Sequence, residues 1–156
     1  MDKQQLQTWI EEYLSGTDYE LITLSISATN DILVEVDSLK GVDVDFCEKL
    51  NRFLVEKLDT LPLDYSLEVG SVSLTDPFKT KMQYQKHLGD DVEVLIATDG
   101  QSTKYRGQLV SVDEDTFSID IEEKVAVEGK KRKELQTKTY TWAYDTPRYV
   151  KYDLKF

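Results

Sequence analysis

The stretch that most constrains this chain is residues 65–80, Tyr-Ser-Leu-Glu-Val-Gly-Ser-Val-Ser-Leu-Thr-Asp-Pro-Phe-Lys-Thr. It opens as a strand, with Leu67 and Val69 on one face and Ser66 and Glu68 on the other. Gly70, Ser71 and Ser73 then loosen the backbone, and Pro77, which has no N–H to donate, stops any ladder. Upstream, helical and strand periods alternate. Downstream, the pattern is nearly all short strands. The stretch therefore reads as the last strand of one domain running into the connector to another. The expected division is an α/β domain over 1–76, a connector with a short helix over 77–89, and a small β-barrel over 90–156.

In the first domain, Leu6, Trp9, Ile10, Tyr13 and Leu14 recur at helical spacing over residues 3–14. Ser15-Gly16-Thr17 ends that helix. Residues 19–28 read as a strand with Ile22, Leu24 and Ile26 on one face. A tight turn at Thr29-Asn30-Asp31 returns the chain through Ile32, Val34 and Val36. Asp43 or Asp45 caps a second helix that runs to about Leu58, with Val44, Cys47, Leu50, Leu54 and Leu58 as its buried stripe. The predicted order is helix, strand, strand, helix, strand, with two helices over one face of a small sheet.

Residues 79–88 read as a short helix ending at Gly89. Strands follow around Val92/Val94/Ile96, over 105–112, around Phe117/Ile119/Ile121 and over 135–142. A last one alternates Val150, Tyr152, Leu154 and Phe156 with charged residues. Turns fall at Asp99-Gly100 and Asp113-Glu114-Asp115. Five short strands with polar turns predict a small barrel of the SH3 or Sm type. The fold class is thus α+β: an α-β-β-α-β domain, KH-like in its arrangement, followed by a small SH3/Sm-like barrel.

Charge divides at the same place. Residues 1–80 carry 16 acidic and 6 basic side chains, net −10, whereas residues 81–156 carry 14 and 13, net −1. The front half repels nucleic acid at long range, which argues against non-specific DNA coating. It leaves open RNA contact through a local basic patch, or a basic protein docking on the acidic half. The apolar runs are too short to span a bilayer, and the polar start is unlike a signal peptide. A single cysteine precludes an internal disulfide and suits a reducing cytosol, so a cytoplasmic location is expected.

No enzyme is expected. His87 and Cys47 are the sole histidine and cysteine, lie far apart, and fall short of the roughly four ligands of a zinc site. Cys47 sits on an apolar stripe, and His87 reads as an exposed imidazole at a helix end. Acid pairs such as Glu11/Glu12 and Asp90/Asp91 diverge on helices or turns and build no two-carboxylate site. The seven glycines are too dispersed for a phosphate-cradling loop or for the Gly-x-x-Gly clamp of KH domains. No catalytic, metal or cofactor site is expected. The one dense basic cluster is Lys130, Lys131, Arg132 and Lys133. It suits phosphate contact from a hairpin tip, or else a solvated loop that guards sheet edges. Tyr140, Trp142 and Tyr144 alternate on one face and fit barrel packing better than base stacking.

Several motifs carry a resemblance. Val36-Asp37, Gly41-Val42, Asp45-Phe46-Cys47, Asn51-Arg52 and Leu58-Asp59 are similar to the ribosome maturation factor RimP family. So are residues 67–80, against a family pattern that reads roughly E-V-S-S-P-G-L-D-R-P-L-K. Glu68, Val69, Ser71, Leu74, Pro77 and Lys79 keep that pattern, while Gly70, Val72, Ser73, Thr75 and Asp76 depart from it. Gly89, Val92, Val94, residues 105–109 and the closing strand extend the resemblance over nearly the whole chain.

The resemblance implies a bacterial cytoplasmic protein that assists maturation of the small (30S) ribosomal subunit without catalysis or cofactor. It implies an α/β domain followed by a small barrel. The implied partners are the immature subunit and a basic small-subunit ribosomal protein near the decoding centre, with rRNA in reach of the basic cluster, and neither membrane nor DNA. The rival reading is a protein-interaction adaptor whose barrel binds peptides through exposed Tyr140, Trp142 and Tyr144.

Overall fold

The computed structural model describes residues 1–129 and 131–154. The chain divides into two compact units, Met1–Ser73 and Leu74–Phe156. It is an α+β protein, with an α/β first unit and a mostly antiparallel sheet in the second.

The first unit runs α1 (Lys3–Leu14), β1 (Tyr19–Ile26), β2 (Asp31–Ser38), α2 (Val44–Leu58) and β3 (Ser66–Ser71). The sheet order is β1-β2-β3, with β2 antiparallel to β1 and parallel to β3. Parallel neighbours need a crossover, and α2 supplies it. Asp2 caps α1 and Asp43 caps α2, the latter accepting a hydrogen bond from the Asp45 N–H at 3.0 Å. Of the two acids that could cap α2, Asp43 is therefore the one that does.

The core joins Leu6, Ile10 and Leu14 of α1, Ile32, Val34 and Val36 of β2, and Cys47, Leu50, Leu54 and Leu58 of α2. Two expectations fail in detail. Val44 is 71% exposed, so the α2 stripe starts one turn later, at Cys47. In β1 the register shifts between Leu21 and Thr23, which leaves Ile22 as an extra residue. One extra residue reverses the parity of a strand. Leu21, Leu24 and Ile26 pack on the core instead of Ile22, Leu24 and Ile26.

The second unit holds α3 (Lys81–Lys86), β4 (Asp91–Thr98), β5 (Gln101–Val112), β6 (Thr116–Val125), β7 (Glu134–Ala143) and β8 (Tyr149–Tyr152). The order is β7-β6-β5-β4-β8, antiparallel throughout. Asp99 (φ 50°) and Gly100 (φ 78°) make the left-handed two-residue turn that matches the twist of the β4–β5 hairpin.

The long β5 serves two neighbours. Residues 101–108 pair with β4 and residues 108–112 with β6. Gly107 sits where it changes partner. A Cβ there would lie 2.4 Å from the Asp120 carbonyl oxygen, so only glycine admits this approach. Tyr84, Val92, Val94, Leu109, Phe117, Ile119 and Val150 form the core, flanked by Tyr105, Tyr140, Trp142 and Tyr144. Burial pushes the Tyr84 phenol up to about 12.

The five strands expected are present, but no closed barrel forms among the described residues. β7 and β8 are the sheet edges, and no backbone pairing joins them.

Candidate functional site

Three features of the chain carry side chains with something to offer a partner: the segment around Pro77, a charged cluster on β4, and the β6–β7 hairpin.

The segment comes first because its sequence is the most distinctive. Val69 is half-buried against the first core, while Glu68 and Ser71 on the same strand are exposed. Leu74 is 54% exposed, an uncommon setting for a leucine. Beyond Pro77 the chain is held tightly within the second unit. The Phe78 N–H donates to the Val150 carbonyl at 2.7 Å, beside β8. The side-chain oxygen of Gln83, itself buried, accepts from the backbone N–H groups of Lys79 (2.6 Å) and Thr80 (3.2 Å). These bonds satisfy donors that a helix start would otherwise leave bare.

Phe78 also stacks face to face on His87, with centroids 4.9 Å apart and planes 11° apart, and meets Tyr84 edge-on. The His87 side chain is only 12% exposed, and its Nδ1 lies 3.1 Å from Asp90 Oδ2. The expectation of an exposed imidazole is therefore corrected. The ring closes over Phe78 and Tyr152 because the helix end turns it inward.

The charged cluster centres on Glu93, whose side chain is 8% exposed. The Tyr149 hydroxyl donates to Oε2 at 2.6 Å, and Arg106 donates through Nε (3.0 Å) and Nη2 (2.9 Å) to Oε1. Lys151 Nζ stands 3.7 Å away. The Tyr149 hydrogen bond, with Arg106, Lys151 and Lys104, holds the Glu93 carboxyl below the usual carboxylate range, against a burial effect of opposite sign. The same contact raises the Tyr149 phenol and the Arg106 guanidinium. A cavity of about 240 Å³ lies alongside, lined by Thr75, Glu93, Arg106, Lys151, Tyr152 and others. The cluster gathers one carboxylate, one phenol and two cations. Its hydrogen bonds tie β4 to β5 and β8, so it acts as a structural lock.

The hairpin differs. Lys131, Arg132 and Lys133 lie exposed in the connection between β6 and β7, and Lys130 is outside the described residues. No hydrogen bond or ion pair engages the three among the described residues. At the other end of β7, Tyr140 and Trp142 stack with planes 12° apart, both against Tyr105, and Tyr144 packs on Tyr84 and Phe117. These half-buried rings pack against the second core, as their alternation indicated. Among the described residues no group of three or more His, Cys, Asp or Glu is arranged to hold a metal ion. No helix is long and apolar enough to cross a membrane.

Comparison with known proteins fits this layout. A family model of the RimP N-terminal domain matches residues 9–74, ending where the first unit ends. Two proteins from different strains of Porphyromonas gingivalis, both named ribosome maturation factor RimP, are 35% identical to this chain over 141 residues. Each alignment spans 90% of this chain and 91% of the relative. The chain belongs to the RimP family of ribosome maturation factors.

Sequence reasoning reached the RimP signature residues and the basic run, but it missed the Glu93 cluster. Its members are 13 and 56 residues apart and come together only through the Glu93↔Arg106 and Glu93↔Lys151 registers. The sole trace in the sequence is a glutamate alternating with Val92 and Val94.

Proposed function

We propose that this RimP-family protein assists maturation of the small ribosomal subunit without chemistry of its own, by binding the immature particle in the cytoplasm. The observation that carries the reading is the 35% identity to ribosome maturation factors across 90% of the chain, through both units. In this reading one partner is a basic small-subunit ribosomal protein near the decoding centre. Charge supports that choice, since residues 1–73 carry 15 acidic and 5 basic side chains, net −10. A field of that sign speeds the encounter with a basic protein and turns away bare nucleic acid. Binding then favours a conformation that the free subunit visits too rarely.

The finer fold reading belongs to the same proposal: a KH-like first domain (1–76), a connector with its helix (77–89) and an SH3-like second domain (90–156). Glu68, Val69, Ser71, Leu74, Pro77 and Lys79, which keep the family signature, belong in this reading to the stretch that leads from the first domain into the connector.

Co-sedimentation with immature and mature small subunits, at low and moderate salt, tests the reading. Preferential binding to the immature particle, weakened by salt, is the expected result. Equal affinity for both particles sinks a maturation role.

A further inference from the structure

The pairing of β6 sets the free length of the hairpin. β5 pairs with β6 only as far as Gln108↔Asp120, because at Gly107 it has turned onto β4. β6 and β7 continue together through Ile121↔Lys138 to Val125↔Glu134, five further pairs with no third strand on either side. At ~3.4 Å per residue this two-stranded ribbon extends about 17 Å past the sheet.

Its charges are sorted along its length. Asp120, Glu122 and Glu123 lie toward the base, whereas the described charged residues from 124 to 135 are Lys124, Glu128, Lys131, Arg132, Lys133 and Glu134, net +2. Elsewhere on the sheet, Arg106 and Lys151 are drawn to Glu93 and Lys138 lies over the Tyr140 ring. Among the described residues, Lys131, Arg132 and Lys133 have no such partner.

We infer that the β6–β7 ribbon is an RNA-contacting arm, whose Lys131, Arg132 and Lys133 bind backbone phosphates of the subunit's rRNA. The inference rests on the ribosomal reading above and gives it a nucleic-acid side. A lone ribbon can set the charges of its tip against phosphates across the shallow minor groove of an RNA helix. Its outer part, from 124 to 135, carries no aromatic side chain on which a base could stack. Recognition is therefore by charge and shape and tolerates changes of base sequence. Confining the cations to the end of the ribbon lets RNA meet them away from Asp120 at its base.

The test measures binding of the full chain to protein-free small-subunit rRNA across a salt series. It compares a Lys131→Gln/Arg132→Gln/Lys133→Gln variant with a Lys3→Gln/Lys40→Gln/Lys49→Gln variant that removes equal charge from exposed sites of the first unit. Each phosphate contact contributes about 0.7–0.9 to the slope of log K against log salt. The arm variant is expected to bind at least ~10-fold more weakly with a slope shallower by about 2, while the control follows the wild type. Equal losses in both variants, or no rRNA binding by the wild type, overturn the arm. Arm-dependent binding to rRNA without preference for immature particles leaves the arm standing and removes the maturation reading instead.

Discussion

The two units solve the same problem, burying one face of a small sheet, by opposite means. In the first, two helices of 12 and 15 residues lie over three strands, and the fully buried core is nine aliphatic residues and Cys47, with rings such as Tyr13, Phe46 and Phe53 only partly buried around it. In the second, the one helix among the described residues is 6 residues long, and the strands supply most of the core, with the rings of Tyr84 and Phe117 inside it and those of Tyr105, Tyr140, Trp142 and Tyr144 around it. Helices can cover a flat sheet with modest side chains. A sheet with little helix over it relies on large, flat ones that reach across strands. It also needs a place where the backbone can bend closely, and Gly107 is that place.

The sharpest way to break this comparison is to add a methyl group to a glycine in each unit. Gly107→Ala drives its Cβ toward backbone atoms of Asp120, so a loss of about 3 kcal/mol is expected, the upper part of the range for overpacking. Gly70→Ala in β3 meets nothing within 4 Å and should change stability by less than about 0.5 kcal/mol. Chemical denaturation of the two variants decides it, and equal losses remove the special status of the β5 bend.

Next in size is the Glu93 lock. Glu93→Gln keeps the shape and removes the charge that Tyr149 and Arg106 address. A loss of about 1.5 kcal/mol is expected, at the low end for hydrogen bonds to charged groups because Arg106 is largely exposed. The pH dependence gives the sign independently. The folded carboxyl is depressed, so its stabilisation is present above the unfolded value near 4.5 and is lost as pH falls through the lower folded value. Acid titration of the second unit's near-ultraviolet signal should flatten in that window in Glu93→Gln. An unchanged profile would mean that the cluster adds no pH-dependent stability.

The smallest effect belongs to the first unit's helix start. Asp43→Ala removes the cap of α2 and should cost about 1 kcal/mol, read by thermal denaturation, while Asp45→Ala costs less. The reverse order would reassign the cap.

Local periodicity made the first unit legible. The bounds of α1 at residues 3–14, the end of α2 at Leu58 and the Asn30 turn with its positive φ all follow from spacing and turn chemistry within a few residues. Where the reading failed, the cause was non-local. The bulge at Ile22 exists because β1 must register against β2, and Val44 is exposed because the α2 stripe loses its cover at the first turn. His87 is shielded by Phe78 and Tyr152, which lie 9 and 65 residues away.

By itself, then, the sequence determined the elements, the change of character near residue 74, the acidic front half and the family, because each is written in short-range pattern or in matched motifs. Only the tertiary structure decided which edge of the second sheet stays open, where β5 changes partner and which cations remain unpaired. Those depend on strand register. A shift of one residue in register, which leaves composition and periodicity untouched, would turn Glu93 from Arg106 and move the end of the free ribbon.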